Sequence, residues 1–182
     1  MNTALILIDI QDGFYDESYW GARNNPEAEQ NASKILNAWR SKGLPIFHIK
    51  HNSSNPKSRL APNQPGNEIQ SIVKPLPAEP VIGKNVNSAF IGTDLKERLD
   101  KQQIKSLVFV GLTTDHCVST SVRMAGNFGY DVQLVSDATA TFDKISHTGE
   151  KIPAEVIHKA NLASLHNEFA TVLTTQQLLQ AL

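Results

Sequence analysis

The sequence predicts an α/β domain in which helices flank a doubly wound, mostly parallel sheet. The first observation is the stretch TALILI over residues 3–8, which is apolar or β-prone throughout, as is typical of a strand covered on both faces. An amphipathic stretch runs from Pro26 to Gly43, and LPIFHIK over residues 44–50 is the next predicted strand. A strand, a helix and a second strand in succession form a βαβ unit, which implies a right-handed crossover and parallel pairing.

The same alternation continues to the end of the chain. The further predicted elements are an edge strand over 81–85, a helix capped by Thr93 or Asp94, a central strand over 106–112, a helix from about Asp115 to Phe128, a strand over 131–138, a helix opened by Pro153, a strand over 171–174 and a closing helix over 174–182. Residues 51–80 interrupt this pattern, because they contain six prolines and show no periodicity. A segment of this kind is more often a functional loop than an error of interpretation.

Length and composition are typical of one globular domain, which we expect to span residues 1–182. The hydrophobic content is 40% and the formal net charge is −1, a balance that provides no electrostatic field for binding nucleic acid or an anionic membrane. The apolar runs are too short to span a bilayer. Asp9 and Asp12 interrupt the first run, unlike a secretory signal, and the lone Cys117 cannot form an internal disulfide. These features favour a cytoplasmic protein.

Three charged or nucleophilic residues follow predicted strands. Asp9 comes directly after the first strand, Lys84 ends VIGK, and Cys117 begins the helix after SLVFVGL. Doubly wound sheets bind ligands beyond the carboxyl ends of their strands, so we expect these side chains to meet in one crevice. Each residue alone also has a structural interpretation: the cysteine as core filler, the aspartate as a loop cap and the lysine as a solvated strand end.

The chemistry of the three groups is that of nucleophilic acyl transfer. The thiolate is the reactive form of cysteine, and a helix N-terminus together with the Lys84 ammonium is expected to lower the pKa of Cys117. Asp9 is then positioned to accept the thiol proton. A strand-to-helix turn at Thr113 and Thr114 can direct backbone N–H groups at the oxyanion of a tetrahedral intermediate. Alternatively, Thr113, Thr114 or Asp115 only caps the helix.

Together these residues resemble the isochorismatase-like cysteine hydrolases, over about residues 3–173. The resemblance is carried, in order, by LILIDIQDGF, by KNVNSAF from Lys84, and by GLTTDHCVSTSVRMAGNFGYDVQLVSDATA. It implies a six-stranded parallel sheet, a homo-oligomer, and an Asp9–Lys84–Cys117 catalytic triad. It also implies a cis peptide bond between Leu112 and Thr113, and an oxyanion hole built from the N–H groups of Thr113 and Cys117.

The sequence departs from the nicotinamidase branch of that family, which carries a metal site of the form D-x-H-x-x-x-H. The corresponding region here reads HIKHNSSNP. His48 lies in an apolar strand and is interpreted as a core or supporting histidine. His51 begins the loop and is a candidate substrate contact. Residues three apart on an extended strand point to opposite faces and make a poor metal pair, so we predict no metal and no cofactor, which disfavours a nicotinamidase.

The resulting hypothesis is a cysteine amidohydrolase that acts on a small amide, ureide or carbamoyl compound through an acyl-thioester on Cys117. The predicted pocket residues, besides His51, are Gln11, Phe14, Ser88 and Phe90, although both phenylalanines are equally compatible with core packing. Two alternatives remain. The chain is a vinyl-ether hydrolase that uses Asp9 alone, as in isochorismatases that lack the cysteine, or it is a non-catalytic binding module. A flavodoxin-like module is disfavoured because IDIQDGF lacks a glycine-rich phosphate loop.

Overall fold

The sheet predicted from the sequence is present. The structure is a computed structural model that describes residues 3–182, so the first two residues of the predicted domain, Met1 and Asn2, lie outside the described residues. The strands are β1 (Thr3–Ile8), β2 (Ile46–His51), β3 (Val81–Lys84), β4 (Ser106–Leu112), β5 (Asp131–Ala140), β6 (Lys144–Ile145), β7 (Lys151–Ile152) and β8 (Thr171–Leu173). Six of them form one sheet in the order β3-β2-β1-β4-β5-β8, and every neighbouring pair is parallel. This confirms the predicted fold class.

Helices cover both faces of this sheet. They are α1 (Glu17–Trp20), α2 (Ala28–Ser41), α3 (Leu95–Lys101), α4 (Ser119–Asn127), α5 (Ala154–Leu165) and α6 (Thr175–Ala181). The sequence did not predict α1, nor the antiparallel β6–β7 hairpin, because four-residue helices and two-residue strands are too short to show a period. After β2 ends at His51, the rest of the segment 51–80 contains two short 3₁₀ helices, Pro65–Asn67 and Ser71–Val73.

The central strands are apolar throughout because successive side chains enter two different cores. In β1, Ile6 lies in the core on one face of the sheet, whereas Leu5 lies in the core on the other face, where α2 contributes Trp39. In β4, Phe109 and Val108 divide in the same way. Each fully buried side chain of this size stabilises the fold by about 1.5–3 kcal/mol. The continuous apolar runs, which distinguish these strands from half-exposed ones, follow from this double coverage.

The strand order reverses between β1 and β4, and this junction positions the candidate site. Gly111 of β4 pairs with Ile8, and a Cβ atom at Gly111 would come within 2.0 Å of the Ile8 carbonyl oxygen. Its φ of +119° also favours glycine. Asp9, the residue directly after the end of β1, has a φ of +51°, an uncommon value for a residue with a side chain. The absence of a side chain at Gly111 therefore permits the close approach of the two strand ends. Within residues 3–182, no helix is long and apolar enough to cross a membrane.

Candidate active site

Asp9, Lys84 and Cys117, which are far apart in the sequence, meet at the carboxyl ends of three strands. The Lys84 Nζ atom lies 2.7 Å from Asp9 Oδ2 and 3.3 Å from Cys117 Sγ. Asp9 follows β1, Lys84 ends β3, and Cys117 lies in a turn after β4. We call these residues the Asp9–Lys84–Cys117 cluster. The structure therefore brings together the three residues that the strand-end rule singled out.

The Lys84 ammonium contacts a third acceptor, the Nδ1 atom of His51, at 3.0 Å. A lysine ammonium carries three N–H donors and no acceptor. Its three contacts, with Asp9, His51 and Cys117, therefore account for all of its protons. Since the Lys84 side chain is completely buried, satisfying every donor offsets part of the large cost of removing the charge from water.

Asp9 combines an ion pair with an unsatisfied oxygen. Its side chain is completely buried, and Oδ2 accepts from Lys84, but Oδ1 is buried without a hydrogen-bond partner among residues 3–182. Burial raises the pKa of the Asp9 carboxyl group, against the opposing effect of the Lys84 charge. A buried acceptor without a donor is rare and costly, and such groups concentrate where chemistry needs them. Asp9 is thus prepared to accept one proton.

Cys117 lies in a π-helical turn, Thr114–Val118, that precedes α4. The predicted helix from Asp115 therefore begins with a wider turn, in which the N–H groups of His116 and Val118 both donate to the Thr113 carbonyl oxygen, at 3.1 and 3.2 Å. Such turns occur frequently at functional sites. The Leu112–Thr113 peptide bond before the turn is cis.

The expected lowering of the Cys117 pKa is wrong for the free protein. Burial of the sulfur raises the pKa of the thiol, and the neighbouring Asp9 carboxylate raises it further, whereas the Lys84 charge only partly opposes them. The Lys84 charge and the helical turn could be inferred from the sequence, but the burial of the sulfur could not. Burial disfavours the charged thiolate because it removes the sulfur from water. In the free protein Cys117 is therefore a neutral thiol beside a base.

Two polar networks hold the Cys117 turn against the fold. The Thr114 hydroxyl lies 2.9 Å from Nδ1 of His158, a buried histidine of α5. The Asp115 carboxylate accepts a hydrogen bond from the Thr141 hydroxyl, just beyond β5. The side chains of the predicted cap residues Thr114 and Asp115 thus connect the turn to α5 and to the end of β5.

Gln11 does not face an open pocket. Its side chain is completely buried, its Nε2 donates to the carbonyl oxygens of His51 and Asn67 at 3.1 and 2.8 Å, and its Oε1 accepts from the His51 N–H at 2.8 Å. The amide therefore fixes the end of β2 and the start of the 51–80 segment. In contrast to the predicted substrate contact, its role in the structure is to support the position of His51.

Three other predicted pocket residues also lie in the core. Phe14 packs on Trp20 and Phe142, with ring centroids 4.9 and 5.9 Å apart. Phe90 packs on Phe128 at 5.4 Å. The Ser88 hydroxyl is buried and accepts from the Phe90 N–H at 3.1 Å. For both phenylalanines the core alternative describes the observed positions, because their rings are covered by other aromatic side chains.

The two histidines near the end of β2 separate as the strand geometry requires. His48 Nε2 lies 3.0 Å from Glu79 Oε2, and Glu79 also pairs with Arg40, so His48 serves a buried ion-pair network away from the cluster. His51 faces Lys84 instead. The two histidine rings thus contact different partners, Glu79 and Lys84.

A different set of residues has the spacing of a metal site. One potential ligand atom each from Asp9, His51 and Cys117 lie within 4.8 Å of one another. The Lys84 ammonium, however, hydrogen-bonds to all three of these residues. A metal ion would have to displace this buried cation, so the arrangement fits a lysine-centred site better than a metal centre.

Asn87 is a candidate functional residue that sequence reasoning missed. It is exposed, and its Oδ1 atom lies 3.8 Å from Cys117 Sγ. The available signal was its position in KNVNSAF, three residues after Lys84. A side-chain amide at this position offers both a donor and an acceptor beside the sulfur.

The fold and the strand-end cluster define an α/β protein with a polar site at the switch in strand order, and comparison with known proteins gives the family. The model of the isochorismatase domain matches residues 3–177. The isochorismatase family protein YrdC of Bacillus subtilis is 50% identical over 97% of this chain and 94% of its own length. A solved isochorismatase-family structure from Chromobacterium violaceum is 43% identical, with a TM-score of 0.95 over 99% of this chain and 93% of that one.

More distant relatives have named activities. Streptothricin hydrolase of Streptomyces noursei is 30% identical over 93% of this chain and 61% of its own length. N-carbamoylsarcosine amidase of an Arthrobacter species is 27% identical over 84% of this chain and 60% of its own length. This chain belongs to the isochorismatase family of hydrolases.

Proposed function

We propose that the protein is a cysteine hydrolase that cleaves a C–N bond of a small amide, ureide or carbamoyl compound through an acyl-thioester on Cys117. The observation that carries this proposal is the convergence of the Cys117 thiol, the Asp9 carboxyl group and the Lys84 ammonium in one buried cluster. These are a nucleophile, a base and a positive charge within reach of one another. A protein that only binds ligands does not need a base with an unsatisfied oxygen beside a thiol.

The proton route starts from the neutral thiol. When the substrate carbonyl is in place, Asp9 takes the thiol proton and the sulfur forms a bond to the carbonyl carbon. The unpartnered Asp9 Oδ1 is the acceptor that this step requires. Burial raises the pKa of the Asp9 carboxyl group, which makes it a stronger base than an exposed aspartate. The thiolate thus forms only as it attacks.

The later steps reuse the same groups. The oxyanion of the tetrahedral intermediate accepts hydrogen bonds from the Thr113 and Cys117 N–H groups. Asp9 returns its proton to the nitrogen, the C–N bond breaks and an amine or ammonia leaves. Asp9 then takes a proton from water, the resulting hydroxide attacks the thioester and the acid is released. The sulfur leaves as a thiolate and recovers its proton from Asp9.

Lys84 balances charge throughout this cycle. Its ammonium faces either the Asp9 carboxylate or the developing thiolate, so one negative charge moves between two of its hydrogen-bond partners. The cation itself does not need to lose a proton. A fixed positive charge in a buried site stabilises such a transfer far more than it would in water.

The names of two relatives support the proposal, since one is a hydrolase and the other is an amidase, an enzyme that cleaves a C–N bond. An N-carbamoylsarcosine amidase and a streptothricin hydrolase are among the proteins to which this chain is similar. The proposal further includes a single domain, a small-molecule substrate, a homo-oligomeric assembly and a cytoplasmic location, without nucleic-acid or membrane partners.

The direct experiment is a screen for ammonia release. We expect at least one compound in a panel of small primary amides, ureides and carbamoyl compounds to release ammonia with the untreated protein. The same protein should be inactive after Cys117 has been alkylated with iodoacetamide. A panel without turnover, or turnover that survives complete alkylation, contradicts the proposal.

The pH dependence of Cys117 alkylation tests the base. Because the folded Asp9 pKa is raised, the carboxyl group is protonated at acidic pH, and the alkylation rate should rise with pH through that raised pKa. Above that pKa the rate should reach a plateau, whereas an unassisted thiol gains about tenfold per pH unit up to its own pKa. In Asp9→Asn the profile should follow the ionisation of the thiol alone.

The matched control is Asp12→Asn, the same substitution at an exposed aspartate three residues further on. This variant should keep the plateau. A wild-type profile that matches that of Asp9→Asn, climbing about tenfold per pH unit without a plateau, would remove Asp9 from the proton route.

A further inference from the structure

The His51 ring is held in a single tautomer by its contact with Lys84. Nδ1 of His51 lies 3.0 Å from the Lys84 Nζ atom, which can only donate. Nδ1 therefore accepts, and the ring proton resides on Nε2. The other two Lys84 protons are engaged by Asp9 and Cys117, so no rearrangement of the lysine frees Nδ1 without breaking the cluster.

The Nε2–H group has no protein acceptor. Among residues 3–182, the His51 side chain hydrogen-bonds only to Lys84, and its Nε2 atom is not fully buried, so Nε2 is accessible to solvent or a ligand. Burial and the Lys84 charge lower the pKa of His51 to about 4. The ring is consequently neutral at physiological pH, and its one free function is that of a hydrogen-bond donor.

The backbone of His51 is fixed to an unusual degree. Its N–H donates to Gln11 Oε1, and its carbonyl oxygen accepts from Gln11 Nε2 and Asn67 Nδ2, at 2.8, 3.1 and 3.0 Å. With Nδ1 fixed as well, the direction of the Nε2–H group is set by the fold. Binding groups that are pre-positioned in this way lose little entropy when a ligand arrives.

From these contacts we infer that His51 is a substrate-positioning donor whose Nε2–H selects compounds with a hydrogen-bond-accepting oxygen next to the reacting carbon. Carbonyl, ureido and carboxylate oxygens satisfy this requirement, whereas an ammonium group or a hydrocarbon does not. The His51 ring and the Cys117 sulfur contact the same Lys84 ammonium, at 3.0 and 3.3 Å, so the ring borders the part of the site where the sulfur reacts. The inference rests on Cys117 as the nucleophile of the proposed function.

The test uses two alkylating probes with the same leaving group. Bromoacetamide carries a carbonyl oxygen beside its reacting carbon, whereas allyl bromide carries a vinyl group there. The Cys117 alkylation rate is measured with each probe and expressed relative to glutathione. The variant is His51→Asn, because asparagine Oδ1 occupies the position of Nδ1 and keeps an acceptor for Lys84, while the Nε2–H donor is lost.

We expect the wild-type preference for bromoacetamide over allyl bromide to fall about 5- to 10-fold in His51→Asn, as is typical for the loss of one hydrogen bond. The control His147→Asn makes the same substitution at an exposed histidine of the β6–β7 turn and should leave the preference unchanged. An equal preference in wild-type and His51→Asn proteins overturns the inference. The Asp9 pH profile tests the proposed function separately.

A second measurement does not depend on any variant folding correctly. The ¹⁵N chemical shifts of the His51 ring in the wild-type protein should show protonated Nε2 and unprotonated Nδ1 at neutral pH. A protonated Nδ1 would contradict the fixed tautomer, and with it the inference.

Discussion

Replacing Cys117 with serine should reduce turnover of the amide found in the ammonia screen by about 10⁴-fold or more, the scale seen when an enzyme loses its nucleophile. A serine hydroxyl is far harder to ionise than a thiol. The Asp9 carboxylate is therefore a strong enough base for the thiol but not for the hydroxyl. The side chain is partly buried and nearly isosteric, so the unfolding midpoint should change little. The measurements are initial rates of ammonia release and a denaturant unfolding curve.

Cys117→Ala separates the remaining mechanisms. If Cys117 is the nucleophile, this variant is as inactive as the serine variant. Turnover that persists in Cys117→Ala would instead favour non-covalent hydrolysis with Asp9 as acid, the alternative in which a vinyl ether is the substrate. Loss of folding in both variants, visible in the unfolding curve, would assign Cys117 to packing.

Replacing Lys84 with methionine should lower the free energy of unfolding by about 3–5 kcal/mol. The Lys84 and Asp9 side chains are both completely buried, so the variant leaves a carboxylate in the interior without its counter-charge. In the double variant Asp9→Asn/Lys84→Met most of that loss should be recovered, because neither charge remains. Chemical denaturation at neutral pH gives both values, and activity should be absent in either variant.

The matched control is Lys96→Met. Lys96 also pairs with an aspartate, Asp100, at 2.6 Å, but both side chains are nearly half exposed. Exposed pairs of this kind contribute at most about 1 kcal/mol. If Lys84→Met is no more destabilising than Lys96→Met, or if the double variant recovers nothing, the buried ion pair does not hold the cluster as described.

The strand-end cluster was predictable because its determinants are local in the sequence. Each of the three residues follows an apolar run, and the carboxyl ends of parallel strands converge at the switch in strand order. The direction of individual side chains was not predictable in this way. Gln11 and Ser88 lie two and four residues from Asp9 and Lys84, yet their partners are set by packing and, for Gln11, by backbone groups 40 and 56 residues away.

The protonation state of Cys117 shows a second limit of the sequence. The charges around a residue can be estimated from motifs, but its desolvation depends on the whole surrounding fold. Here burial is the largest influence on the thiol pKa and acts against the nearby cation. Sequence reasoning therefore predicted which groups lie together but assigned the resting thiol the wrong direction of pKa shift.

The three contacts of Lys84 restrict which positively charged residue this position can accept. The nitrogen of an ammonium group is tetrahedral, so its three protons point in different directions, toward acceptors such as Asp9, His51 and Cys117. A guanidinium is flat, and its donors fan out within one plane. Arginine, although equally charged, would have to abandon one acceptor and find room for a longer head group in a completely buried space.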